Sequence, residues 1–294
     1  MKLRLAFFAL AWSAVASSIA QTTVRFAVIG DFGNDSSEEM GVSTLVHSWN
    51  PDFVVTCGDN NYTTGSAQTI DPNIGKYYHD FIYNYQGLYG SGSPTMRFIP
   101  TLGNHDWGNV SNNPYGADPY LAYFTLPGNE RYYSWRSGVV EFFIVDSDLN
   151  EPSGTSSNSA QAVWCKAALR ASTAKWRVVV FHHPAYSSGL HQSSLYMRWP
   201  FQTWGATAVL QGHDHDYERL KVGTIPYFVN GIGGASIREF GTVLAESQVR
   251  YNSDFGAMLV TAGATSMTFK AYSRAGVLVD SYTQFLFFAY PLSK

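Results

Sequence analysis

An α/β fold is what this sequence predicts. Over the first two thirds of the chain, apolar and β-branched runs alternate with helix-patterned segments; the last third turns to short strand-like runs divided by glycine-containing turns. The 294 residues are 45% apolar and 16% aromatic against 14% charged, which rules out a disordered chain and is ample for a core without covalent staples.

The elements follow in chain order. Lys2 and Arg4 precede an apolar run from Leu5 to about Val15, and the small residues Ser18 and Ala20 stand where a cleavage site belongs. That run is well short of the roughly 20 residues a membrane-spanning helix needs. The expectation is therefore a signal peptide over 1–20, a mature chain from Gln21, and a secreted protein. Val24–Ile29 is the first strand, and Ser36–Trp49 opens a helix with Ser36 and Glu39 in capping-box spacing. Strands are expected over Phe53–Thr56, Phe98–Leu102 and Val139–Val145. A helix over Ala160–Arg170 carries Val163, Trp164, Ala167 and Ala168 at helical spacing, and strands Trp176–Phe181 and Ala208–Leu210 complete the alternation. Beyond Gly212 come Pro226–Asn230, Ala257–Thr261, Ser266–Tyr272 and Gly276–Tyr282, and Phe285–Tyr290 reads as a terminal strand. Gly108–Pro119 and Glu151–Ser159 read as surface loops because strand runs flank them closely. With no repeat of roughly 20 to 50 residues, residues 21–294 read as one domain.

Charge narrows the function. Acidic residues number 22 and basic ones 19, a balance of −3 with no Lys/Arg run, so nothing marks a nucleic-acid or anionic-membrane partner. Two cysteines, Cys57 and Cys165, are too few for a disulfide scaffold and read as separate buried thiols. Asn34, Asn61 and Asn109 open glycosylation sequons, of use only in an organism that glycosylates its secreted proteins.

The polar motifs decide more, because they fall directly after strands. Gly30-Asp31-Phe32-Gly33 follows the first strand, Gly58-Asp59-Asn60-Asn61-Tyr62 the second and Gly103-Asn104-His105-Asp106 the third; His182-His183-Pro184 and Gly212-His213-Asp214-His215 follow two later ones. In α/β sheets the loops at the carboxyl ends of strands converge on one crevice, so these five motifs should share a site. Each alone is ordinary turn chemistry. Together, Asp, Tyr, Asn and several His are the donors that hold two adjacent cations, the device used for in-line phosphoryl displacement.

At this point the sequence resembles a known family. Gly-Asp-x-Gly, Gly-Asp-x-x-Tyr, Gly-Asn-His-Asp, Val-x-x-His and Gly-His-x-His occur in order between Asp31 and His215, as in the purple acid phosphatases, a branch of the calcineurin-like metallophosphoesterases. The length is similar to the small single-domain members, while Gly212–Arg219 also resembles the larger plant forms. The resemblance implies a four-layer α/β/β/α sandwich of two mixed sheets flanked by helices. It implies that Asp31, Tyr62 and His215 ligate Fe(III), that Asp59 bridges both metals, and that Asn104, His182 and His213 complete a second site for Fe(II), Zn(II) or Mn(II). Relatives outside the purple branch mostly carry Asp-x-His in the first motif, where this chain has Gly33. Tyr62 supplies the missing donor: a phenolate is hard and anionic and favours Fe(III).

The function so implied is secreted acid phosphatase activity on phosphate monoesters, with anhydrides as a further substrate class, by attack of a metal-bound hydroxide, with His105 and His191 contacting phosphate and assisting protonation of the leaving group. Small phosphorylated molecules are the expected partners. A phosphodiesterase or nucleotide pyrophosphatase on the same core, or iron-based generation of reactive oxygen species, are the alternatives. Asp106 reads either as orienting a neighbouring histidine or as capping backbone, and His183 as a partly buried neighbour of Pro184 ahead of an extra phosphate contact. Asp214 and Asp216 are expected to point away from the metals. His47, His79 and the aromatic stretch Tyr77–Tyr89 are assigned to packing.

Overall fold

The computed structural model describes residues 23–108 and 116–286. The strands are β1 (Val24–Ile29), β2 (Phe53–Thr56), β3 (Phe98–Ile99), β4 (Tyr133–Ser137), β5 (Val140–Ile144), β6 (Trp176–Val180), β7 (Ala208–Gln211), β8 (Tyr217–Val222), β9 (Ile225–Asn230), β10 (Ser247–Tyr251), β11 (Gly256–Ala262), β12 (Ser266–Ser273) and β13 (Leu278–Phe285). They form two mixed sheets, ordered β13-β12-β11-β1-β2-β3 and β10-β8-β9-β7-β6-β5-β4. In the first, β1, β2 and β3 run parallel; in the second, β5, β6, β7 and β9 do.

Burial explains why these runs are strands. Every residue of β2, β7 and β9 is buried, the continuous apolar reading expected of strands covered on both faces. Between the sheets lies a shared core that includes Phe26, Phe53, Phe142, Trp176, Phe228 and Phe269. Phe53 stacks on Phe26 at 5.2 Å, and both meet the edge of Phe142 across the sheets. A second cluster lies under the helix Ser37–Ser48 and the helical segment 71–81 on the outer face of the first sheet; a third lies under the helix Ala160–Ala171 on the outer face of the second. The four α/β/β/α layers are in place.

Several boundaries differ from expectation for local reasons. Ser36 Oγ accepts the Glu39 N–H at 3.1 Å and starts the first helix, but Glu39 turns its carboxylate to the N–H groups of Asn34 and Asp35 rather than closing a reciprocal box. The helix Ala160–Ala171 buries Gln161, Ala162, Cys165 and Leu169 and leaves Val163 61% exposed, so its inward face is rotated from the apolar spacing read in the sequence. β3 ends at Ile99 because Pro100 has no N–H to donate; its carbonyl is held by the hydroxyls of Tyr120 and Tyr133. β4, β8 and β10 were not expected: two are edge-ward and polar, and β8 carries charged residues.

Cys57 and Cys165 are free and buried in different clusters. Tyr77, Tyr78 and Phe81 are core residues, and His47 and His79 bond to neighbouring backbone. Asn61 has no exposed surface and spends its amide on Ser66, Thr69 and Asn73, so the folded chain has no room for a glycan there. The leader 1–20, Asn109 and the residues after Leu286 lie outside the described residues.

Candidate metal centre

Because β1, β2, β3, β5, β6, β7 and β9 present their carboxyl ends to one edge, the loops that follow them meet there. Three of the convergent residues have left-handed backbone: Asp31 (φ 55°), Asp59 (φ 54°) and His213 (φ 72°). Non-glycine residues hold this conformation only where neighbours impose it. Here the imposing bonds run between loops. Asp31 N–H donates to Gly58 O at 3.0 Å, and the His213 N–H reaches both Asp31 oxygens at 3.0 and 3.1 Å. Gly58, at φ 92°, lies where a Cβ would stand 2.6 Å from His182 Nδ1, so the loop after β2 passes the histidine that follows β6 only as glycine.

Two groups of donors result. In the first, Tyr62 Oη lies 3.0 Å from Asp59 Oδ2, 3.3 Å from Asp31 Oδ1 and 3.2 Å from His215 Nε2. In the second, His182 Nε2 lies 3.3 Å from Asp59 Oδ2, 3.1 Å from Asn104 Oδ1 and 3.2 Å from His213 Nδ1. Asp59 belongs to both through one oxygen, while its Oδ1 accepts the His105 N–H at 2.9 Å. Asp31, Asp59, His182 and His215 are all buried.

Metal ions fit this arrangement, and the reason is proton counting. The Tyr62 hydroxyl has one hydrogen and three acceptors around it, so the remaining lone pairs converge with nothing between them. His182 Nδ1 donates to the Cys57 carbonyl at 2.9 Å, which leaves Nε2 as the inward atom among the oxygen of Asn104, the nitrogen of His213 and the oxygen of Asp59. Burial opposes charge on His182, but the carboxylates of Asp59 and Asp31 prevail and raise it to about 10. Burial and the same two carboxylates push the Tyr62 phenol well up. Without a cation the cluster thus keeps protons that a metal would displace.

The remaining expected residues surround these groups. His105 donates from Nδ1 to Thr63 O at 2.5 Å and turns Nε2 to within 3.9 Å of Asp59 Oδ2, its ring 4.3 Å from that of Tyr62. The His191 ring is 4.2 Å from that of His213. All nine residues singled out in the sequence therefore meet at this edge. Asp106 caps backbone: its carboxylate takes the N–H groups of Gly103 at 2.9 Å and Asn60 at 3.1 Å and the Asn60 amide at 2.8 Å. Burial and then Asp59 raise its pKa to about 7. Asp214 is occupied by Ser187 Oγ and the His191 N–H, away from the centre. Asp216 is fully buried, and burial first raises it to about 9.

Two residues at this edge, Ser236 and Arg238, were not read from the sequence. His183 is partly buried beside Pro184, as expected, with its ring 4.5 Å from that of His213 and its Nδ1 paired with Ser147 Oγ at 3.0 Å. Burial, followed by His182, lowers its pKa to about 3. Ser236 Oγ caps His215 Nδ1 at 2.5 Å, and Arg238 Nη1 donates to His191 Nε2. Ser236 and Arg238 lie in the loop after β9. The Gly231-Ile232-Gly233-Gly234 run after a strand was the signal that could have found them.

Comparison with known proteins agrees with this geometry. The family model described as calcineurin-like phosphoesterase matches residues 24–217. Purple acid phosphatase 17 of Arabidopsis thaliana is 26% identical over 249 residues, covering 74% of this chain and 70% of the relative. Tartrate-resistant acid phosphatase type 5 of Mus musculus is 26% identical over 250 residues, 72% of each. Among solved structures, the purple acid phosphatase PPD1 from yellow lupin superposes with a TM-score of 0.70 at 18% identity, over 90% of this chain and 54% of that one. GAP50, described as the anchor in the inner membrane complex of Plasmodium, gives 0.68 at 17% identity, over 90% and 89%. An anchor and a phosphatase share these layers, so the fold does not choose a chemistry. With the matched segment spanning all five motif loops, the chain belongs to the calcineurin-like phosphoesterase family.

Proposed function

We propose that the protein is a secreted acid phosphatase that hydrolyses phosphate monoesters at a dinuclear centre. Asp31, Asp59, Tyr62 and His215 would hold Fe(III), and Asp59, Asn104, His182 and His213 would hold Fe(II), Zn(II) or Mn(II). When bound, such a pair supplies Lewis acidity toward the phosphate and a nucleophile drawn from water. The secretory assignment rests on the leader pattern of residues 1–20.

The single observation that carries this reading is the exchange between Gly33 and Tyr62. A Cβ on Gly33 would lie 1.6 Å from the Asn60 carbonyl, so no side chain can project from that position. The Tyr62 N–H bonds the Gly33 carbonyl at 2.7 Å, and the phenol enters the first donor group. Two carboxylates and a phenol give that group three anionic donors, which favours a trivalent ion.

The other residues have definable work. Cys57 O fixes His182, Ser236 Oγ caps His215, and Asp106 ties the second loop to the third. His105 and His191 stand at the rim to contact phosphate and serve the leaving oxygen. Nε2 of His105 faces the centre, whereas Nε2 of His191 accepts from Arg238; His105 has the better-placed atom for handing over a proton.

The test is the visible absorption spectrum of natively purified protein. A broad charge-transfer band that disappears in Tyr62→Phe, together with p-nitrophenyl phosphate hydrolysis in acid, is the expected result. A colourless but fully metallated protein would remove Fe(III) from the assignment and bring the phosphodiesterase reading forward.

A further inference from the structure

Many arginines among the described residues are tied to acids or to backbone. Arg219 pairs with Asp280 at 2.7 Å, Arg131 with Glu151 at 2.8 Å and Arg274 with Asp254 at 2.8 Å; Arg97 donates to the carbonyls of Asp52 and Pro51. Arg238 is different. No carboxylate among the described residues lies within ion-pair distance of it, and its guanidinium reaches the His191 ring at the mouth of the candidate centre. An arginine left without an acid beside a site built for an anion has five N–H donors and only one accepted by a neighbour there.

The placement is built into the fold. Three backbone bonds seat the loop after β9 on the motif loops: Gly233 N–H to Gly30 O, Ala235 N–H to Asp31 O and Arg238 N–H to His215 O, at 2.9, 2.9 and 3.0 Å. The Asn252 amide holds the Arg238 carbonyl at 3.0 Å. His191 is held as firmly, its N–H on Asp214 Oδ1 at 2.7 Å. The two loops are also joined to each other, by a bridge between Gly189 and Phe240 and by the Gly241 N–H on Ser188 O at 2.7 Å. Arg238 and His191 therefore stand side by side on a common frame, against the His213 ring.

We propose that Arg238 is a substrate-binding residue that, with His191, receives a terminal oxygen of the substrate phosphate and so favours monoesters over diesters. This rests on the phosphatase reading above and adds its selectivity. A monoester dianion keeps three terminal oxygens, enough to engage the centre and still offer one to a guanidinium. A diester has two, a single charge, and a second ester group where Arg238 needs an anion.

The experiment compares wild type, Arg238→Met and Arg238→Lys as metal-loaded protein. Binding of inorganic phosphate is measured by calorimetry, metal content by elemental analysis, and kcat/KM with p-nitrophenyl phosphate and bis(p-nitrophenyl) phosphate. Arg238→Met should weaken phosphate binding about tenfold or more. It should lower monoester kcat/KM about tenfold more than diester kcat/KM, chiefly through KM, with both metals retained. Arg238→Lys should recover part of the phosphate affinity. Equal losses on the two esters, loss of metal in both variants, or unaltered phosphate affinity would overturn the assignment. A wild type that binds phosphate through Arg238 but hydrolyses no monoester would instead sink the phosphatase reading and leave the binding role standing.

Discussion

At the scale of single residues, the site depends on what glycine permits. The space above Gly33 is already filled by the Asn60 carbonyl, so the donor that a histidine would provide from the first loop must come from the second. Gly33→Ala forces the Asn60 peptide outward and carries Tyr62, two residues on, away from Asp31 and His215. Overpacking of this kind costs about 1–3 kcal/mol, so the variant should fold with a lowered melting temperature. Its visible band should be weakened or shifted, and activity on p-nitrophenyl phosphate should fall at least tenfold. A variant with an unaltered spectrum and unaltered melting would mean that the loop yields without moving Tyr62.

At the scale of elements, helix and loop are joined by groups that titrate. His47, near the end of the helix Ser37–Ser48, bonds Asp80 in the segment 71–81 at 3.1 Å. The bond raises the pKa of His47; for Asp80 burial works upward, but the bond and charge of His47 outweigh it and the pKa is lowered. The signs set a window. A raised histidine stabilises fully below its unfolded value near 6.5 and loses the contribution as pH climbs through its folded pKa; a lowered aspartate stabilises above roughly 3.9 and loses the contribution in stronger acid. Both are present between roughly pH 4 and 6.5. Both side chains are more than a third exposed, so screening keeps the effect below about 1 kcal/mol. His47→Ala should therefore destabilise more at pH 5.5 than at pH 8.5 in urea titrations, on top of a pH-independent loss of packing against Phe81. A destabilisation identical at the two values would rule out the ionic part. Elements of this kind were only partly legible in the sequence. Val24–Ile29 and Phe53–Thr56 announce themselves because inner strands covered on both faces are mostly apolar, Arg25 being the one exposed residue of the first, and a Gly-Asp motif after each marks the loop. Tyr217–Val222 was hidden because its charged residues find partners that no local pattern shows: Arg219 bonds Asp280, and Glu218 accepts from Ser188. The same limit hid Arg238. Its loop follows β9, whose parallel pairing with β7 brings it to the site, and that pairing is a property of the sheet rather than of the local sequence.

At the scale of the whole molecule, the candidate centre spans the seam between the two sheets. Asp31, Asp59, Tyr62 and Asn104 come from loops of the first sheet, His182, His213 and His215 from loops of the second, and Asp59 is common to both donor groups. Metals held there would link the sheets at one edge, while the aromatic core of Phe53, Phe142 and Phe228 links them inside. Stability should then follow metal occupancy by mass action: free metal at about a thousand times its dissociation constant contributes about 4 kcal/mol. For a chain of this size that corresponds to a melting shift on the order of 10 °C. Exhaustive chelation should lower the melting temperature by that amount and restore it on readdition of iron with zinc or manganese. Asp59→Ala removes the one oxygen shared by both groups; it should lose both metals, lack phosphatase activity, and melt at the same temperature with and without chelator. If Asp59→Ala retained one full equivalent of metal and half of the chelator-sensitive shift, the two groups would be independent sites and the bridging role of Asp59 would fall. If chelation left the wild-type melting temperature unmoved, the seam would be held by the aromatic core alone, and the loops at its edge would be ordered by their own backbone bonds.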